Sequence, residues 1–75
     1  MLLKIKISAE ALANEKFEPM FTIEEHSGGK VVINKFIINS EWSTKEDALV
    51  IAKKEAIHEV ERGYPPGVKH PVFED

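Results

Sequence analysis

The sequence contains no cysteine, which excludes disulfide staples, zinc ribbons and thiol chemistry. Aromatic residues are few: one Trp, one Tyr and four Phe. There is no basic excess either, because ten Lys and Arg stand against thirteen Asp and Glu, for a net charge of −3. Tight non-specific binding to nucleic acid draws its affinity from phosphate neutralisation by a net basic surface, and in bulk this chain offers none. Long hydrophobic runs are also missing. Nothing approaches the roughly 18 apolar residues of a membrane span. Residues Met1–Ser8 alternate Leu and Ile with Lys, unlike the continuous apolar stretch of a signal peptide. A soluble, cytoplasmic chain with no membrane association is expected.

With 75 residues there is room for one core, and a doubly wound nucleotide fold is excluded. A domain of this size buries only roughly 60% of the surface its unfolded chain exposes, so a binding partner would add usefully to its stability. The charge is unevenly spread. In residues 1–37 Lys4, Lys6, Lys16, Lys30 and Lys35 cancel Glu10, Glu15, Glu18, Glu24 and Glu25, so the net acidity lies in residues 38–75.

Leu3, Ile5 and Ile7 recur at period two with Lys4, Lys6 and Ser8 between them, which predicts a strand with one wet face. Ala9–Asn14 breaks the alternation and is too short for an independent helix. It reads as a turn, or as one helical turn capped by Ser8. The alternative is a true helix that adds to a second layer. Phe17, Phe21 and Ile23 share a parity against Met20 and Thr22, placing a strand at about Met20–Glu25 with Pro19 at its start or on an edge. Gly28-Gly29 supplies the positive φ of a tight reversal. Val31–Asn39 then resumes as strand. Val31, Val32 and Ile33 are apolar on both faces, the pattern of a central strand. Asn34-Lys35 interrupts that run. It reads as a bulge that hands the core face from Ile33 to Phe36 and Ile38, with a second turn as the alternative.

Ser43-Thr44-Lys45-Glu46-Asp47-Ala48 carries the signature of a helix start. Ser43 with Glu46, or Thr44 with Asp47, fits a capping box, and the acidic first turn suits the helix dipole. Ala48, Leu49, Ala52, Ala56, Ile57 and Val60 recur at helical spacing on one face. Gly63 fits the position just past the helix, and Pro65-Pro66 forbids continuation. The helix is predicted from Thr44 to Arg62. The tail from Tyr64 to Asp75 is expected to be extended without regular structure, with Val68, Val72 and Phe73 giving it an apolar side. The predicted fold is therefore α+β. A three-stranded antiparallel sheet carries one long C-terminal helix on one face, residues 1–63 form the domain, and residues 64–75 form a proline-containing extended tail.

No catalytic constellation emerges. His26, His58 and His70 fall on a turn, the helix and the tail. Glu55-x-x-His58 has the spacing of a di-iron half-site, but such sites need a second copy and further carboxylates on a four-helix bundle. His58-Glu59 begins a zinc-protease pattern that fails at Arg62. Ser8, Ser27, Ser40 and Ser43 lack a nucleophile-elbow setting. Gly28-Gly29-Lys30 precedes a strand where a phosphate loop needs a helix. The expectation is a non-enzyme with no cofactor and no metal.

Partner binding is the remaining class. Ile51 lies opposite the apolar stripe, among Lys54, Glu55 and His58. Together with Val68, Val72 and Phe73 it forms the candidate partner surface, facing either the folded-back tail or another chain. The two sheet edges add a route to self-association. The alternative is a weak nucleic-acid binder using Lys4, Lys6, Lys30 and Lys35 on the outer sheet face. The acidic balance disfavours it.

The run Phe21-Thr22-Ile23, then Gly28-Gly29-Lys30, then Trp42 to Ala48 resembles small uncharacterised bacterial proteins built as one strand-hairpin-helix domain. The likeness spans about residues 17–62. It implies a bacterial cytoplasmic setting and carries no functional residue over to this chain. A small protein-binding or self-associating module is the expected function.

Overall fold

The computed structural model describes residues 2–64 and 71–74. Strands β1 (Leu2–Ala11), β2 (Phe17–Ser27) and β3 (Lys30–Ile37) are followed by helix α1 (Lys45–Gly63) and a short β4 (Val72–Glu74). The class is α+β, as the patterning predicts. The sheet is larger than predicted. It has four strands in the order β3-β2-β1-β4, antiparallel except that β4 runs parallel to β1.

Ala9–Ala11 do not turn; they continue β1, opposite Pro19, Glu18 and Phe17. Cross-strand pairing overrides their weak helical preference. The reversal comes later. Leu12 N–H donates to Lys16 O (2.8 Å) and Glu15 sits at φ 63°. This is a three-residue hairpin loop whose last residue is left-handed, a place usually taken by Gly or Asn. The Asn14 side chain supports it by accepting from Lys16 N–H. The second reversal is as expected, with Gly28 at φ 55° and Gly29 at φ 80°.

Pro19 is fully buried within β2, a central strand, and not at a strand start or edge. The register explains how this is tolerated. The ladder alternation turns the Pro19 nitrogen towards the end of β3, where pairing is about to stop. Its carbonyl still accepts from Ile38 N–H at 3.0 Å.

The expectation for β3 is corrected in two ways. First, β3 is an edge strand and not a central one. Its consecutive apolar residues are not covered on both faces. Second, Asn34-Lys35 is neither bulge nor turn, since pairing with β2 runs unbroken from Ser27↔Lys30 to Met20↔Ile37. The irregularity falls further on. Ile38 bonds to Pro19, and Trp42 next pairs with Phe17, so residues 39–41 loop out opposite Glu18.

Helix α1 begins as the hydroxyl pattern predicts. Thr44 is the N-cap, and its Oγ1 accepts from Asp47 N–H at 3.2 Å. The far end differs slightly from expectation. Gly63 lies inside the last turn without a positive φ, and Tyr64 N–H closes that turn on Val60 O (3.2 Å). Ala48, Ala52, Ala56 and Val60 form the buried ridge. Ile57, placed on the stripe by its spacing, is exposed instead. A ridge of alanines lets the helix axis approach the sheet closely. The core beneath it is Leu3, Ile5, Phe21 and Ile23, with Ile7, Phe36, Ile38, Tyr64 and Phe73 packed around it. No helix among the described residues is long and apolar enough to cross a membrane.

Candidate interaction edge

The inner face of the sheet is set by alternation from the buried Leu3, Ile5, Phe21 and Ile23. By register, Val32, Asn34 and Phe36 of β3 share that face, while Val31, Ile33, Lys35 and Ile37 lie on the outer one. Helix α1 packs on β1 and β2 and does not reach β3. Phe36 is sheltered by stacking on Phe21, with ring centroids 4.7 Å apart and planes 13° from parallel. The outer face, and the inner face towards the hairpin, have no such shelter. Val31, Val32, Ile33 and Ile37 are 50%, 53%, 61% and 56% exposed, whereas Ile5 and Ile23 are fully buried.

The backbone of the same strand is unpaired on one side. Ser27 and Lys30 flank a two-residue turn and exchange hydrogen bonds, so every second residue from Lys30 points its N–H and C=O at β2. The alternate set, Val31, Ile33, Lys35 and Ile37, points away from the sheet. Among the described residues each of these therefore presents a backbone donor and acceptor with no strand opposite, and three of the four carry an exposed aliphatic side chain.

The opposite side of the sheet is partly covered, and its edge is the short strand β4. β4 pairs Val72, Phe73 and Glu74 with Lys4, Ile5 and Lys6 of β1. Phe73 packs against the core, and Lys53 Nζ sits 5.2 Å from its ring centroid. Glu74 lies 3.5 Å from Lys4 Nζ and 3.8 Å from Lys6 Nζ. The end of the tail, expected to lack regular structure, is a sheet strand. Its period-two signal is only three residues long, too short to read against the prolines before it.

The candidate partner residues are thereby separated. Val72 and Phe73 point to opposite faces, Ile51 is half-buried on α1, and Val68 lies outside the described residues. The lysines divide as well. Lys4, Lys6 and Lys35 share the outer face, whereas Lys30 at the hairpin belongs to the inner parity. Lys6 is also 3.5 Å from Glu24, and Glu24 holds His26 at 3.0 Å. The His26 hydrogen bond, and then Lys6, keep the Glu24 carboxyl below its ordinary value of 4.5.

A second polar cluster ties the helix end to β3. Glu25 Oε2 accepts from Asn34 Nδ2 (2.9 Å) and from the Tyr64 hydroxyl (3.2 Å). Burial, and then the Glu25 charge, raise the Tyr64 hydroxyl above 10.0. Among the described residues no three His, Asp or Glu side chains gather as metal ligands. A shallow cleft between β1 and the start of α1 is lined by Ile7, Ser8, Ala9, Lys45 and Leu49. Sequence reasoning missed the β3 edge because it read consecutive aliphatics as burial. Their flanking by Lys30 and Lys35 was the available signal, since lysines mark edges. Comparison with protein-family models, with curated proteins and with solved structures finds no match.

Proposed function

We propose that this chain is a small non-enzymatic binding module of a bacterial cytoplasm, and that it binds by accepting one more strand along β3. The observation that carries the reading is the coincidence, on one edge strand, of unpaired backbone groups with Val31, Ile33 and Ile37 standing exposed beside them. Strand addition uses main-chain hydrogen bonds for affinity and alternate side chains for specificity, and β3 offers both.

The test pairs a randomised library of extended peptides with solution mass. Ile33→Pro removes an outward N–H without touching the bonds to β2, and Val50→Lys changes an exposed helix residue away from the edge. Wild type and Val50→Lys are expected to retain peptides or to self-associate, and Ile33→Pro to lose at least about tenfold in affinity. A strict monomer that retains no peptide overturns the proposal.

A further inference from the structure

Resting on that reading, we infer that the strand accepted by β3 is β3 of a second copy, paired antiparallel about a two-fold axis through Asn34. Three features of β3 select this partner and register. A two-fold contact requires that residue i meets j while j meets i. A continuous sheet further requires outward-pointing residues to meet outward-pointing residues. Centring on Asn34 opposes Val31 to Ile37 and Ile33 to Lys35, twice each by symmetry. All four outward-facing residues then find partners, for roughly eight interchain hydrogen bonds. Centring on Ile33 or on Lys35 leaves Ile37 or Val31 unmatched.

The charges point the same way. Centring on Lys35 would place two lysines face to face, which is destabilising. With Asn34 on the axis, Lys35 faces the second copy's Ile33, and the next residue in that row is the second copy's Glu24, Ile33's neighbour on β2. Two strand spacings are about 10 Å, within the combined reach of a lysine and a glutamate side chain. Centring on Ile33 puts Val31 and then His26 in that row, with no carboxylate.

The inner face also permits this arrangement. Val32 meets Phe36, and the two Asn34 side chains meet on the axis. The α1 backbone makes no close approach to β3, and among the described residues only Tyr64, at the helix end, stands at the axis, sharing Glu25 with Asn34. The paired segment of seven residues spans about 24 Å, and it shields the flank of each exposed aliphatic side chain that faces the second copy.

The absence of cysteine makes the register directly testable by oxidation. In the proposed dimer Asn34 opposes itself in a non-hydrogen-bonded pair, where Cα atoms are about 4.5 Å apart, inside the disulfide range. Asn34→Cys is therefore expected to form a covalent dimer on mild oxidation, while Val32→Cys and Phe36→Cys alone do not. Mixing those last two is expected to give the crossed disulfide. This second arm keeps the inference testable if Asn34→Cys fails to fold. Preferential self-linking of Val32→Cys or Phe36→Cys overturns the register. A wild-type mass that stays monomeric to about millimolar concentration, with no crosslink from any variant, overturns the second copy as partner. Peptide capture that is still lost in Ile33→Pro would then leave the binding proposal standing, whereas loss of both readouts removes the two together.

Discussion

The two edges of the sheet have opposite treatments. On the β1 side, a three-residue strand covers Lys4–Lys6 of the ladder, an aromatic ring packs against the core, and Glu74 sits between Lys4 and Lys6. On the β3 side, eight residues have no further strand beyond them among the described residues, and four of their aliphatic side chains face water. Short edge strands and charges are the usual defences against unwanted pairing, and the first edge has both. The second has lysines only at Lys30 and Lys35, with Val31, Val32 and Ile33 bare between. The difference teaches that an apolar run in a strand does not by itself tell a buried strand from an exposed edge.

The largest effect expected from breaking this comparison comes from two isoleucines one strand apart. Ile23 on β2 is fully buried under α1, so Ile23→Ala should cost about 2–5 kcal/mol. Ile33 is largely exposed in the single chain, so Ile33→Ala should cost less than about 1 kcal/mol at high dilution. If β3 pairs with a second copy, the cost of Ile33→Ala grows with protein concentration while that of Ile23→Ala does not. Urea titrations at two concentrations read this directly. Equal concentration dependence for both variants would remove the contrast.

How much of this was legible in the sequence depends on which interactions are local. The cap at Thr44, the Gly28-Gly29 reversal, the alternation of β1 and the alanine ridge of α1 are set by residues within a few positions of each other, and each is where the pattern puts it. Strand order is not local. Three consecutive aliphatics look alike whether a strand is sandwiched or lies at an edge, so Val31–Ile33 read as central. The continuation of β1 through Ala9–Ala11 depends on partners six to ten residues away across the hairpin, and alanine's helical preference concealed it. β4 was hidden for the same reason: Phe73 becomes a core residue only because Ile5, far away in sequence, offers a place beside it. Of the candidate partner set Ile51, Val68, Val72 and Phe73, the sheet sends Val72 and Phe73 to opposite faces, Ile51 sits on the helix, and Val68 lies outside the described residues.

The covered side can be opened by a smaller change. Phe73 is half-buried, and Phe73→Ala should cost about 1–2 kcal/mol. The loss should be local. Amides of β1 that face β4 are expected to exchange faster, while those between β1 and β2 keep their protection. Uniform loss of protection across all strands would show that β4 belongs to the global folding unit and is not a separable cover.

Tyr64 tests the link from the covered half of the molecule to the open strand. Its hydroxyl and Asn34 of β3 share Glu25 Oε2. Tyr64→Phe should cost about 0.5–1.5 kcal/mol near neutral pH. The folded value of this hydroxyl is raised, so its contribution is complete below 10.0 and is lost as pH rises through the folded value. Wild type should therefore lose stability more steeply in alkali than Tyr64→Phe. Parallel alkaline limbs in thermal melts would contradict the assignment.

The smallest effect belongs to Glu24, whose carboxylate joins β2 to Lys6 and His26 on the wet face beside the covered side. The sign is opposite to that of Tyr64. The folded value is depressed below 4.5, so the contribution is present above that pH and is lost as pH falls through the folded value. Glu24→Gln should flatten the acid limb and leave the alkaline limb unchanged. Because this network is open to solvent, added salt should shrink the difference between wild type and variant. If the second copy's Lys35 also reaches Glu24, the acid sensitivity should be larger at concentrations where the chain pairs than at dilution. Acid titrations of wild type and Glu24→Gln at both concentrations separate the two contributions, since the bonds to Lys6 and His26 lie within one chain and do not depend on concentration.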